Sequence, residues 1–218
     1  MFVVYIFFTH INLHIMNYRL LKQVLKDGLR GIRMCFFSSR KDKYGSIHPS
    51  VIVYQPFMGV KENMFLDKGC VIHEYARILA HKGKFVMKRN CVAATGLTVI
   101  AQNHDNNNIG DIPGGRNWGH EIPNDVICDE DVWIGANVTL CPGTHIGRGC
   151  VVAAGAVCVR TKEYPPYSVI GGNPAHFIKW RFTLEEQIEH EKKVFLDNER
   201  LPEEKLRNNY FNFKIKQK

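Results

Sequence analysis

Ten histidines are spread through the 218 residues, and one of them stands where proton chemistry would be useful. His104 lies in Asn103-His104-Asp105, at the point where regular spacing gives way to an aperiodic stretch rich in Asn, Gly and Pro that runs to Asn124. A neutral imidazole titrates close to physiological pH and can take the proton of an attacking hydroxyl. When well positioned it contributes about 10²–10⁴-fold in rate. His120 shares the stretch and is the rival base. Asp105, Trp118 and His120 are candidates for touching whatever substrate enters there. A patternless loop of this length inside a compact repeat usually serves function. The cysteines offer less chemistry. There are seven, an odd number, and no pair forms CxxC, which argues against a zinc knuckle, a thioredoxin-type pair and a disulfide-stapled secreted domain. They read as reduced thiols of a cytosolic protein.

The elements that must hold these residues are legible from 126 to 161. Counted in sixes from Cys128, the first positions are Cys128, Ile134, Leu140, Ile146, Val152 and Cys158, and the fifth are Val132, Val138, Thr144, Cys150, Ala156 and Lys162. A period of six fits neither a helix nor a simple alternating strand. It fits a short flat strand followed by a tight corner, with three such units closing one coil of a parallel β-helix. Aliphatic first positions would point inward, and small fifth positions would fill the remaining interior. Interior cysteines at 70, 128, 150 and 158 then behave as small hydrophobes. The same period is expected upstream at Leu66, Ile72 and Ile78, and at Val86, Val92 and Thr98 after two extra residues near Gly83. Val51 to Phe57 suggests an entry strand. His73, His81 and His145 fall on coils or corners and are expected at the surface.

The formal charge of +8 belongs to the ends: eight basic against two acidic residues in 1–43, and five against two in 201–218. The body, 44–200, holds 16 basic and 17 acidic residues, so it lacks the basic face of a nucleic-acid-binding domain. No run reaches the roughly 18 apolar residues of a membrane span. The opening residues lack the charged start and the cleavage site of a signal peptide, and Met16 is an alternative first residue to Met1. From Asn17 to Lys43, Leu20, Leu21, Val24, Leu25 and Leu29 recur at helical spacing among Lys22, Lys26, Arg30 and Arg33. Such a helix either lies on an anionic membrane surface or packs on the body or a neighbouring subunit. Three parts are therefore expected: a basic segment, 1–43; a β-helix, 44–182, with its loop at 104–124; and a C-terminal helix and tail, 183–218. Thr183 followed by Glu186 predicts a capping box. Tyr210, Phe211 and Phe213 are docking points for the tail.

Together these pieces resemble the hexapeptide-repeat acyltransferases, the left-handed β-helix family, and within it the xenobiotic and saccharide O-acetyltransferases. The resemblance rests on NHD at 103–105, DVWIGANVTLCPG at 131–143, IGRGCVVAAGAV at 146–157, PPYSVIGGNPA at 165–175 and IKWRF at 178–182. It covers roughly 66–195, and the 43 residues before the coils take no part in it. It implies a mainly β fold, a left-handed parallel β-helix with an excursion loop. It implies a homotrimer with active sites in clefts between neighbouring coils, and acetyl-coenzyme A as co-substrate without a metal. His104 matches the family's catalytic histidine. The backbone at Ala136 and Ala154, and Trp133 beside it, match positions along the pantetheine arm. Lys162 and Lys179 match the phosphate-binding positions, within a cluster completed by Arg160 and Arg181; His176 stands where the family often has a base. The implied reaction is O-acetylation of a saccharide of the capsular, exopolysaccharide or lipopolysaccharide kind, in the cytoplasm or at the inner membrane face. Acetylation of an antibiotic is the alternative. A γ-class carbonic anhydrase on the same fold would need zinc histidines spaced about HxxxxH, whereas His104 and His120 are sixteen apart. A non-catalytic β-helix is the remaining class.

Overall fold

The computed structural model describes residues 44–104, 121–160 and 164–215, with 21–22, 24–26, 28–29, 109–110 and 112. The chain divides into two units, 1–39 and 40–218. In the first, the described residues between Leu21 and Leu29 are helical, where the apolar spacing predicts a helix; the rest of that segment lies outside the described residues. No helix among the described residues is long and apolar enough to cross a membrane.

The second unit is a parallel β-helix of five coils. They are β1–β3 (Ser46–Ile47, Ile52–Val53, Phe57–Gly59), β4–β6 (Met64–Leu66, Val71–Ile72, Ala76–Leu79), β7–β9 (Phe85–Met87, Val92–Ala93, Thr98–Ile100), β12–β14 (Val126–Cys128, Trp133–Ile134, Thr139–Leu140) and β15–β17 (His145–Ile146, Val151–Val152, Val157–Cys158). Between the third and fourth coils the chain leaves as an antiparallel pair, β10 (Gln102–His104) and β11 (Glu121–Pro123). Stacking the coils gives three sheets. The first face is β1-β4-β7-β12-β15 and the third is β3-β6-β9-β14-β17. The second runs β2-β5-β8-β13-β16 and is extended by β18 (Ser168–Gly172) and the antiparallel β19 (Ala175–Trp180).

The interior follows from the six-residue count. Cys128, Ile134, Leu140, Ile146, Val152 and Cys158 are at most 1 % exposed, and so are Val132, Val138, Thr144, Cys150 and Ala156. Burial pushes the Cys158 thiol to about 12, so these cysteines are packing groups, as expected. Upstream, Leu66, Ile72 and Ile78 are buried as expected, but in the third coil the expected register is one residue off. Met87, Ala93 and Val99 point inward, while Val86, Val92 and Thr98 are half-buried and face outward. Leu66 pairs with Met87, twenty-one positions on, whereas Cys128 pairs with Ile146 at eighteen. Three residues, not two, are inserted at the corner around Gly83, and a one-residue slip exchanges the two faces of a strand. Entry begins earlier than expected, at Ser46, with Val51 and Phe57 buried in the first coil.

From the second coil on, the corners after the first and second faces follow one rule: the third residue after an inward residue takes a left-handed backbone. Between the first and second faces these residues are Gly69, Asn90, Asp131, Gly149 and Tyr167; between the second and third they are Tyr75, Gly96, Asn137 and Gly155. Gly, Asn and Asp tolerate this conformation best, and the two tyrosines stand out.

The first of these edges is covered by α1 (Leu184–Val194), with α2 (Glu203–Ile215) packed beside it through Leu206 near Tyr167. Thr183 and Glu186 close the expected capping box at the start of α1. The buried Arg148 donates to Glu130 (3.1 Å), to Glu191 (2.9 Å) and to the carbonyl of Glu199, with its guanidinium 4.1 Å over the Phe195 ring. Tyr167 donates its hydroxyl to Glu191 at 2.6 Å; burial, then the Glu191 carboxylate, push that phenol far above its ordinary pKa. Asp131 accepts from Arg181 (2.8 Å) and lies 3.1 Å from His190. Further on, Trp180 stacks on Tyr210 and Phe177 packs against Phe213, which docks α2 on β19.

Candidate active site

His104 ends β10, opposite Glu121 of β11, and is exposed. It projects from the edge between the third and first faces, beyond the third coil, because the chain must leave the stack there before resuming at Val126. The carbonyl of Ala101 accepts from Asn124 N–H at 3.0 Å and closes the base of the excursion. Asp105, Trp118, His120 and Lys162 lie outside the described residues.

The expected donor-side residues gather elsewhere. Ala136 and Ala154 stand one above the other on the edge between the second and third faces, where Gly155 N–H donates to Ala136 O at 2.8 Å. Gly135 is required beside them, since a Cβ there would come within 2.6 Å of the Ala154 nitrogen. Trp133 lies on the adjoining second face, 57 % exposed, flanked by Val92 and Val151 on neighbouring strands. Lys179 lies on β19 of the same sheet, paired with Val169. With β16 and β18 between them, β13 and β19 are about 14 Å apart at ordinary strand spacing. Arg160, exposed, follows the last strand of the third face.

Two expectations change. Arg181 is held by the Asp131 carboxylate and the Gly149 carbonyl on the covered edge, so it fastens the C-terminal helix and is not a free cation for a phosphate. His145 is half-buried, not a plain surface residue: its Nε2 lies 3.0 Å from Asp129, which also pairs with Lys88 at 2.7 Å. Burial pushes the Asp129 carboxyl up, but its bonds to His145 and Lys88 outweigh that and hold it below the ordinary carboxylate value. The Arg148–Glu191–Tyr167 cluster has no local signature in the sequence, since its members are 19 to 43 positions apart. Among the described residues no group of three His, Cys, Asp or Glu is placed to hold a metal ion.

A single chain thus brings Ala136, Ala154, Trp133 and Lys179 to one edge and its adjoining face, and puts His104 on another edge. This separation is the main geometric fact about the site.

The comparisons agree with the fold. Residues 125–160 match the family model described as Bacterial transferase hexapeptide (six repeats). The chain is 38 % identical over 119 residues to a probable macrolide acetyltransferase of Lysinibacillus sphaericus, covering 49 % of this chain and 64 % of that one. It is 47 % identical over 60 residues to a chloramphenicol acetyltransferase of Klebsiella aerogenes, 28 % of each chain. The chain therefore spans less than two thirds of the length of these relatives. Among solved structures, a hexapeptide-repeat acetyltransferase of Vibrio cholerae in complex with acetyl-coenzyme A superposes with a TM-score of 0.61 at 17 % identity, over 76 % of this chain and 91 % of that one. A maltose O-acetyltransferase of Clostridium difficile gives 0.57 at 24 %, over 75 % and 89 %. At these identities the solved structures speak for the fold. The matched repeat covers 125–160, and the five stacked coils have the fold of these hexapeptide-repeat proteins.

Proposed function

We propose that this protein is an acetyl-coenzyme A-dependent O-acetyltransferase acting on a hydroxyl of a saccharide, with His104 as general base. The observation that carries this reading is the bare edge at Ala136 and Ala154. Small side chains leave the backbone open to a narrow thioester arm, and Trp133 walls it on one side. Lys179 and Arg160 lie toward the last coil, where an anionic end of the donor would be neutralised, and Lys162 is the proposed third cation. His104 takes the acceptor's proton as its oxygen attacks the thioester carbonyl. The tetrahedral oxyanion needs donors, which backbone N–H groups can supply. Its collapse expels the thiolate of coenzyme A, and His104 returns the proton to that sulfur.

Because His104 stands on a different edge from the donor groove, the site is completed between copies of the chain. A homotrimer, each copy lending its loop to the next, satisfies this with closed symmetry. Asp105, Trp118 and His120 of that loop are the proposed acceptor contacts. The cytoplasm, or the inner membrane face reached through the basic residues 17–43, is the proposed location; deletion of 1–43 should then reduce partitioning onto anionic vesicles.

Acetylation of an antibiotic is the second reading, favoured by the names of the macrolide and chloramphenicol relatives. Thiol release from acetyl-coenzyme A tests both, with mono- and oligosaccharides in one set and macrolides and chloramphenicol in the other. His104→Ala should lower kcat about 10²–10⁴-fold while His120→Ala does not. Full turnover in His104→Ala would remove the mechanism.

A further inference from the structure

Three aromatic rings at the N-terminal end of the bare edge have no structural task comparable to that of their counterparts. Tyr54 and His73, on adjacent coils, stack with centroids 4.9 Å apart and planes 13° from parallel. Tyr54 is 42 % exposed and the His73 side chain 41 %. Tyr75 follows at the corner with φ 63°, where the later coils carry Gly96, Asn137 and Gly155. A tyrosine held left-handed is strained. Tyr167 has the same backbone (φ 62°), but it is fully buried and its hydroxyl bonds Glu191. Tyr75 is 66 % exposed, and among the described residues its side chain has no bonding partner.

These rings lie on the edge that carries Ala136 and Ala154. Backbone bonds run up that edge without a break, from Gly96 N–H to Glu74 O (2.9 Å), from Asn137 N–H to Thr95 O (2.9 Å) and from Gly155 N–H to Ala136 O (2.8 Å). Two coil steps separate Glu74 from Ala136, about 10 Å at ordinary strand spacing. With the cations at the opposite, C-terminal end, a donor bound along the edge has its anionic end there and its acyl end toward the rings. We propose that Tyr54, His73 and Tyr75 form a platform that selects acceptors with a ring, packing the apolar C–H face of a pyranose against the negative faces of the aromatic rings. This rests on the acetyl-transfer reading for its meaning, but the contact itself does not depend on turnover. Glu74, whose carboxylate is 3.6 Å from His73 Nδ1, stands beside the platform as an acceptor for sugar hydroxyls.

The test is saturation-transfer NMR on the full chain with its aromatic protons irradiated. The probes are methyl α-D-glucopyranoside, methyl β-D-galactopyranoside and the acyclic D-glucitol. Asn90 and Asn137 occupy the same backbone conformation, so Tyr75→Asn keeps the corner, and Tyr54→Ala removes an exposed ring. The wild type should pass saturation to the pyranoside C–H protons and little to glucitol. The Tyr54→Ala/Tyr75→Asn double variant should fall to the glucitol level. In the thiol-release assay its pyranoside KM should rise roughly three- to tenfold, the size of an aromatic stacking contribution, with the acetyl-coenzyme A KM unchanged. Equal saturation in variant and wild type, or equal saturation of glucitol and pyranosides, overturns the platform even if the chain turns over. Pyranoside contact without any thiol release leaves the platform standing and overturns the acetyl-transfer reading.

Discussion

Two edges of the same coil stack are built by the same corner rule and used in opposite ways. At the edge between the first and second faces, Asp131, Gly149 and Tyr167 turn the chain under α1, and the two arginines there are matched: Arg148 by Glu130 and Glu191, and Arg181 by Asp131. At the edge between the second and third faces, Tyr75, Gly96, Asn137 and Gly155 turn the chain in the same way, but among the described residues of this unit no helix covers them and Ala154 is exposed. The backbone requirement is identical, so the difference lies in the side chains next to the corner. Long, ion-pairing residues seal one edge; on the other, Ala136 and Ala154 leave the backbone uncovered between the later coils. The sealed edge should govern stability and the bare edge catalysis.

The strongest way to break that division is Arg148→Ala. It removes a cation whose side chain is 10 % exposed and leaves the Glu191 side chain, 3 % exposed, with its charge unmatched. Losing one partner of a buried pair costs about 3–5 kcal/mol, and urea unfolding should show a loss of that order. Lys179→Ala, on the open side, should change unfolding by less than about 0.5 kcal/mol while raising the KM for acetyl-coenzyme A. Equal effects from the two variants would erase the distinction between the edges.

That distinction was only half legible in the sequence. Where the six-residue count is unbroken, from Cys128 to Cys158, every inward residue follows from periodicity alone. Near Gly83 the count could not say whether two or three residues were inserted. Val86 and Val92 are better strand residues by type than Met87 and Ala93, so the outward row looked like the inward one. The open edge was reachable through Ala136 and Ala154, because a motif names them. The sealed edge was not. Arg148, Tyr167 and Glu191 are joined by the docking of a helix, and local spacing carries no trace of it. For the same reason Arg181 resembled a cofactor-binding cation until its partner Asp131, 50 positions away, was visible.

Filling the open edge sharpens the comparison at intermediate size. Ala154→Leu puts a branched side chain where the donor arm is proposed to run, on a residue that faces away from the core. Unfolding should change by less than about 0.5 kcal/mol, and the KM for acetyl-coenzyme A should rise on the order of tenfold, equivalent to about 1.4 kcal/mol. Steady-state kinetics beside a denaturation curve would show whether the two quantities separate.

Acid should loosen the sealed edge first. The Arg89 guanidinium holds the Glu199 carboxyl below its ordinary value, and Asp129 is likewise held low by His145 and Lys88 against its burial. A carboxyl whose pKa is lower folded than unfolded contributes stability above the unfolded value, about 4, and loses it as pH falls through the folded value. Hydrogen exchange at pH 3.5, corrected for intrinsic rates and compared with pH 6, should therefore accelerate at residues 195–201 before the amides of Leu140 and Ile146. Faster loss from the coils would put the weak point in the stack.

The smallest effect separates the two tyrosines. Tyr75 and Tyr167 share a left-handed backbone at φ 63° and 62°, so any difference on substitution reports what surrounds them and not the corner. Asn suits the conformation better than Tyr. At Tyr75 the exposed ring contributes little packing, so Tyr75→Asn should leave stability unchanged or raise it by up to about 1 kcal/mol. At Tyr167 the same change removes a fully buried ring and the 2.6 Å bond to Glu191, so the sign should reverse. Urea midpoints at constant slope would measure both. If Tyr75→Asn destabilised the chain as Tyr167→Asn does, Tyr75 would be a structural residue whose packing lies outside the single chain, and the open edge would be closed by another copy at that height.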